Sequence, residues 1–146
     1  MSTVANILAG KHDELWCLTP DNTVHEAVTI MNEKNVGALM VMDEQKLVGI
    51  ISERDFTRKV ILQERSPKET LVKDIMTREV RYVHPDQSVE TCLALITEHR
   101  VRHLPVLEKQ KMVGMISIGD VVKHVISDQK VKIDHLEQVL SWGESY

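Results

Sequence analysis

Residues 49–55 read GIISERD and residues 114–120 read GMISIGD. Both follow one plan: Gly, an apolar residue, Ile, Ser, two free positions, Asp. They stand 65 positions apart, and laying residues 20–61 over 85–126 at that offset needs no gap. Identities fall at Pro20/Pro85, Asp21/Asp86, Val24/Val89, Glu33/Glu98, Val36/Val101, Leu39/Leu104 and Val41/Val106. They continue through Gln45-Lys46/Gln110-Lys111, Val48-Gly49/Val113-Gly114, Ile51-Ser52/Ile116-Ser117, Asp55/Asp120 and Val60-Ile61/Val125-Ile126. Self-similarity at a fixed offset marks a duplicated supersecondary unit. Upstream, VANIL (4–8) matches VKDIM (72–76), although the first copy carries about three extra residues around Ala9 to Glu14.

Each copy reads as strand, helix, strand, strand, helix. Val24, Ala27, Val28 and Met31 recur at i, i+3, i+4 and i+7, one face of a helix, and Val89, Cys92, Leu93 and Ile96 repeat the stripe. Thr23 and Glu26 form a capping box at the first helix's start. VGALMVMD (36–43) and VRHLPVLE (101–108) are short Val- and Leu-rich runs that suit mostly buried strands. Polar turns follow, then second strands LVGIIS and MVGMIS, then helices FTRKVILQ and VVKHVISD. This order sets repeat 1 at 4–62, a linker holding Ser66-Pro67 at 63–71, repeat 2 at 72–127 and a C-terminal helix or tail at 128–146. In that tail Val131, Ile133, Leu136, Val139 and Leu140 are grouped on one helical side, fitting either a cap over the domain's own core or a dimer contact.

A chain of 146 residues suits one compact domain or two small halves sharing a core. With one Phe, two Trp and two Tyr, that core must be aliphatic and methionine-filled. A formal charge of -4 with scarce aromatics disfavours nucleic-acid binding. No apolar run approaches the roughly 20 residues of a membrane helix, and the N-terminus lacks a signal-peptide pattern, so the cytoplasm is the expected location. Cys17 and Cys92, lone and far apart, read as two buried small hydrophobes in a reducing compartment. No Walker loop, nucleophile elbow or zincin motif occurs, and the histidines show no metal-ligand spacing. His99 and His103 are four apart, but a helix should end between them. Neither an enzyme nor a metal site is expected.

Ser-x-x-Asp at the start of a helix has a local use: the serine accepts the N3 amide and the acid answers back. Yet the motif also sits where a strand opens into a helix, a place whose amides favour anions. A carboxylate beside a hydroxyl suits a ribose, because it accepts hydrogen bonds from vicinal hydroxyls. Gly49 and Gly114 lie inside apolar strands, where glycine often marks a bulge or a close approach to the backbone.

With DIMTREV, HLPV and GMISIGD, the doubled unit resembles a tandem pair of CBS domains, a Bateman module, of the stand-alone bacterial type. The resemblance covers roughly residues 4–127, with NIL and ALMV in the first copy looser than their counterparts. It implies an α/β (α+β) fold: two β-α-β-β-α repeats packed about a pseudo-two-fold axis, followed by a C-terminal helix. It implies two clefts that take adenosine ligands: AMP first, with ADP, ATP, NAD(H) and S-adenosylmethionine as others, and no catalytic cofactor. Ser117 and Asp120 would hold ribose and phosphate in one cleft, with Leu15 and Val36 beside them. Ser52 and Asp55 would do so in the other, beside Thr77, Val80 and Val101.

Arg102 and His103 stand just before the Leu-Pro-Val strand of the second copy, where the first has Gly37 and Ala38. A guanidinium offers paired donors to a phosphate, and an imidazole charges readily beside one. The Ser117/Asp120 cleft is therefore expected to be the stronger site; the other has Arg54 inside its motif. The favoured function is an adenosine-nucleotide sensor acting in trans on an unidentified protein partner, as a homodimer and without a membrane. The alternative is a ligand-independent oligomerisation scaffold, with Ser-x-x-Asp serving only as helix caps.

Overall fold

The computed structural model describes residues 2–11 and 15–144, with side chains through residue 140. In chain order the elements are α1 (Val4–Ala9), β1 (Cys17–Leu18), α2 (Val24–Lys34), β2 (Ala38–Asp43), β3 (Lys46–Ser52), α3 (Glu53–Phe56), α4 (Val72–Ile75), α5 (Val89–His99), β4 (His103–Glu108), β5 (Lys111–Ser117) and α6 (Ile118–Glu144). A π-turn, Thr57–Ile61, continues α3. Residues 12–14, within the stretch that offsets the two leaders, and 145–146 of the tail lie outside the described residues.

The chain divides into two compact units, each assembled from distant segments. The first-repeat unit holds residues 14–82 and 107–113; the second-repeat unit holds 1–13, 83–106 and 114–146. In the first-repeat unit α2 opens with the expected box: Thr23 Oγ1 accepts the Glu26 N–H at 3.1 Å, and the Glu26 carboxylate accepts the Thr23 N–H at 3.4 Å. Asn35 ends the helix in the left-handed region at φ 54°, a conformation asparagine tolerates better than most residues. Val24, Ala27 and Met31 face the core. β1 runs parallel to β2, and β2 pairs antiparallel with β3, with a register shift between Val41 and Met42.

The second-repeat unit repeats the plan. Ser88 caps α5, which buries Val89, Cys92 and Ile96 and stops at Arg100 with φ 54°. That stop separates His99 from His103. β4 and β5 form a two-stranded sheet. The strand expected ahead of α5 shrinks to one parallel bridge, Val83↔Val106. Its backbone bond runs from the Val83 N–H to the Pro105 carbonyl at 3.0 Å. Pro105 stands where the first copy has Met40, and proline has no N–H to extend the ladder.

The two leader helices close the opposite cores. Val4 and Ile7 of α1 are buried with Val89, Ile96, Leu104 and Ile116, whereas Val72 and Ile75 of α4 are buried with Val24, Met31, Leu39 and Ile51. Helices this short are unstable alone, and backbone bonds hold them. The Val4 and Ala5 amides donate to Gln87 and Pro85 at 2.9 Å, and the Val72 and Lys73 amides donate to Asn22 and Pro20 at 2.8 and 3.1 Å. Each leader thus satisfies its orphan N-terminal donors on the loop that opens a main helix.

The C-terminal segment is not a separate helix. α6 runs unbroken for 27 residues from the second Ser-x-x-Asp motif, because no proline interrupts it and its one late glycine lies near the end. Its first turns pack on their unit through Val121, but from Gln129 to Leu140 every side chain is exposed. Cys92 is buried as expected; Cys17 is exposed, because it occupies the outward position of the alternating strand β1. Among the described residues no helix is long and apolar enough to cross a membrane.

Candidate functional site

In the second-repeat unit, strand β5 delivers Ser117 to the N-cap of α6. Ser117 Oγ accepts the Asp120 N–H at 3.1 Å, and Asp120 Oδ2 accepts the Ser117 N–H at 2.9 Å. A third partner comes from the far end of the chain. Lys11 Nζ donates to Asp120 Oδ2 at 2.8 Å and to the Met115 carbonyl at 2.9 Å. Both bonds to the carboxylate end on Oδ2, which leaves Oδ1 outside them. The Asp120 side chain is 26% exposed. Burial pushes its carboxyl up, but the Lys11 ammonium and the amide and hydroxyl of Ser117 outweigh it and hold the group below its usual range.

The first-repeat unit builds the same box with more partners on its carboxylate. Ser52 Oγ accepts the Asp55 N–H at 3.3 Å, while Asp55 Oδ2 accepts the Ser52 amide at 2.9 Å and the Ser52 hydroxyl at 3.2 Å. Oδ1 is ion-paired with Lys59 Nζ at 3.0 Å and accepts from Thr77 Oγ1 at 3.4 Å. Lys59 also donates to the Ile75 carbonyl at 3.0 Å. Asp55 is 9% exposed. Both its oxygens are engaged, which sets it apart from Asp120.

The helix amides are less open to anions than the motif alone suggested. The first amide of each helix donates to the carbonyl of the residue just before a strand: Glu53 to Gly37, ahead of β2, at 3.1 Å and Ile118 to Arg102, ahead of β4, at 2.8 Å. The third is taken by the serine. The glycines have a clear task as well. A Cβ on Gly49 would lie 2.5 Å from Met76 Sδ and 3.1 Å from the Thr77 carbonyl; one on Gly114 would lie 2.7 Å from Leu8 Cδ2. What approaches the backbone is the leader, once in each unit.

Thr77, expected beside the Ser52/Asp55 pair, donates its hydroxyl to Asp55 Oδ1. Val80, Arg54 and the Ser52/Asp55 pair share the first-repeat unit, with Arg54 exposed on α3. Val101 belongs to the second-repeat unit and packs on its core. Ser117, Asp120, Arg102 and His103 all belong to the second-repeat unit, with the Arg102 side chain exposed. Leu15 and Val36 belong to the first-repeat unit, where Val36 packs against the core and Leu15 is exposed. An open groove of about 450 Å³ runs along α2 and α3, walled by Val28, Met31, Val36, Gly37, Glu53 and Phe56 among others; neither Ser52 nor Asp55 lines it.

The two lysines were not foreseen. Lys59 could have been: it sits four residues after Asp55 on a helix, a spacing that pairs side chains. Lys11 carries no such local sign, since 109 positions separate it from its aspartate.

Comparison with known proteins agrees with this architecture. The family model described as CBS domain matches residues 8–62 and 72–127. The CBS domain-containing protein CBSX3, mitochondrial, of Arabidopsis thaliana is 41% identical over 152 residues, covering 97% of this chain and 73% of that protein. The structure of a signal-transduction protein with CBS domains from Burkholderia ambifaria superposes with a TM-score of 0.84 at 53% identity, covering 88% of this chain and 96% of the other. CBSX2, solved in complex with AMP, superposes with a TM-score of 0.72 at 25% identity over 88% of this chain and 99% of its own. The chain therefore belongs to the CBS-domain family and carries two such domains in tandem.

Proposed function

We propose that this chain is a regulatory module that binds adenosine nucleotides, AMP foremost, and passes the signal in trans to a separate protein. The observation that carries the reading is the Ser117–Asp120–Lys11 constellation. A cap needs only the serine and one carboxylate oxygen; here an ammonium is added and the second oxygen stays outside both bonds. Oδ1 can accept a ribose hydroxyl, and Lys11 supplies a cation for a neighbouring phosphate. The AMP complex of CBSX2 supports the same ligand class. The module binds and does not catalyse. It acts as a homodimer in the cytoplasm, and its ligand favours one assembly by differential affinity.

We further propose that the two sites are unequal. Ser117/Asp120, with Arg102 and His103 at the start of β4, takes the nucleotide more tightly than Ser52/Asp55, whose carboxylate is already engaged on both oxygens. One observation favours the scaffold reading instead: both Ser-x-x-Asp sets form complete reciprocal caps.

Thermal unfolding against AMP, ADP, ATP, NAD, NADH and S-adenosylmethionine, with guanosine analogues as controls, separates the two. A ligand at 100 times its Kd adds about 2.7 kcal/mol and raises Tm by several degrees. A shift confined to adenosine ligands and lost in Asp120→Ala supports the sensor. No shift with any of them, in folded protein free of co-purified nucleotide, supports the scaffold.

A further inference from the structure

We infer that the outer half of α6 pairs with α6 of a second copy of this chain, through a stripe of Ile126, Ile133, Leu136 and Leu140. These side chains are 62%, 53%, 59% and 67% exposed. They recur at intervals of seven, three and four, the a and d positions of a heptad. Val131, grouped with Ile133 and Leu136 in the sequence reading, falls outside the stripe once the segment is one continuous helix: it precedes Ile133 by two residues, about 200° around the helix. From Gln129 to Leu140 every side chain is exposed. In proteins most helical stability comes from packing an apolar face, and this arm finds no such packing in its own unit.

The charges point to an identical helix as the occupant. Glu137 occupies the edge of the stripe seven residues after Lys130, and Lys132 lies on the opposite edge. In an antiparallel pair Glu137 faces Lys130 of the second copy; in a parallel pair it faces Lys132 of the second copy. Either way the two-fold axis makes the pairing twice. Lys130, Lys132, Asp134 and Glu137 mix both signs along the arm, unlike the uniformly basic flank that an anionic lipid surface or a nucleic acid would select. This inference stands apart from the nucleotide reading.

The test is sedimentation equilibrium of the full chain over a concentration series, comparing wild type with Leu136→Glu and Val131→Glu. Wild type should be dimeric. Leu136→Glu should raise the dimer Kd roughly a hundredfold, and Val131→Glu, on the far face, should leave it unchanged. Both positions are exposed, so both variants should keep the thermal unfolding of the core. Hydrogen exchange should show amides 129–140 protected in wild type and fast in Leu136→Glu. A monomeric wild type, a dimer indifferent to Leu136→Glu, or equal dissociation by both variants would overturn the pairing. So would a monomer that binds lipid vesicles through this arm. Dimerisation lost in Leu136→Glu in a protein that ignores all nucleotides would refute the sensor and leave the helix pairing standing.

Discussion

At Gly49 and Gly114 no φ is positive, so these glycines are required for the space they leave and not for a left-handed backbone. The two sites differ in what fills that space. At Gly114 the close neighbour is the flexible end of Leu8, whereas at Gly49 a backbone carbonyl, Thr77, lies behind Met76. Overpacking costs about 1–3 kcal/mol, and alanine returns about 0.4–1 kcal/mol through the unfolded chain. Gly49→Ala should therefore destabilise the fold by about 1 kcal/mol and Gly114→Ala should be near neutral, as read by urea unfolding; the reverse order would remove the carbonyl from the argument. Asp120 gives a pH test at the same scale. Its folded pKa is lowered, so its contribution is complete above the unfolded value of about 3.9 and vanishes as pH falls through the folded value. Wild type should exceed Lys11→Met in stability at neutral pH, and the gap should narrow on that acid limb. A gap that is flat with pH would mean that Lys11 acts through packing alone.

Among the elements, the leaders make the strongest claim. Ile7 is 1% exposed and Ile75 2%, so alanine at either should cost about 2–5 kcal/mol, but in different places. Ile7→Ala should speed hydrogen exchange in α5, β4 and β5, and Ile75→Ala in α2, β2 and β3. Loss of protection within the leader's own repeat would contradict the exchange of leaders between cores. The alignment of VANIL with VKDIM located both leaders, and the helical stripes at Val24 and Val89 identified the core faces. Neither could say which core a leader fills, because periodicity records that a side is apolar and not what covers it. The same limit hid Lys11, whose partner is distant, while Lys59 stood in plain helical register with Asp55. Pro105 was visible in HLPV and would have foretold the missing strand, had its absent N–H been counted. The unbroken α6 was legible too, since nothing after Ser127 stops a helix until Gly143.

For the molecule as a whole, duplication gives two copies of one motif unequal surroundings. Asp55 is 9% exposed and receives its own serine, Lys59 and Thr77. Removing it strands partly buried donors, a loss of about 1–3 kcal/mol. Asp120 is more exposed and bonded through one oxygen, so its removal should cost the fold less. The nucleotide reading predicts the opposite ranking for ligand: Asp120→Ala should abolish the tighter binding event, and Asp55→Ala only the weaker. Calorimetric titration with AMP, paired with unfolding of the apo variants, checks both halves. If Asp55→Ala removes the tighter event while Asp120→Ala unfolds more readily, then the bonds each carboxylate makes within the protein do not govern occupancy. In that case Arg54, the cation present only in the first motif, becomes the residue to vary next. If the ranking holds, the more stable copy serves chiefly as framework and the looser copy as the sensor, and Lys11 ties the chain's first residues to the site where ligand arrives.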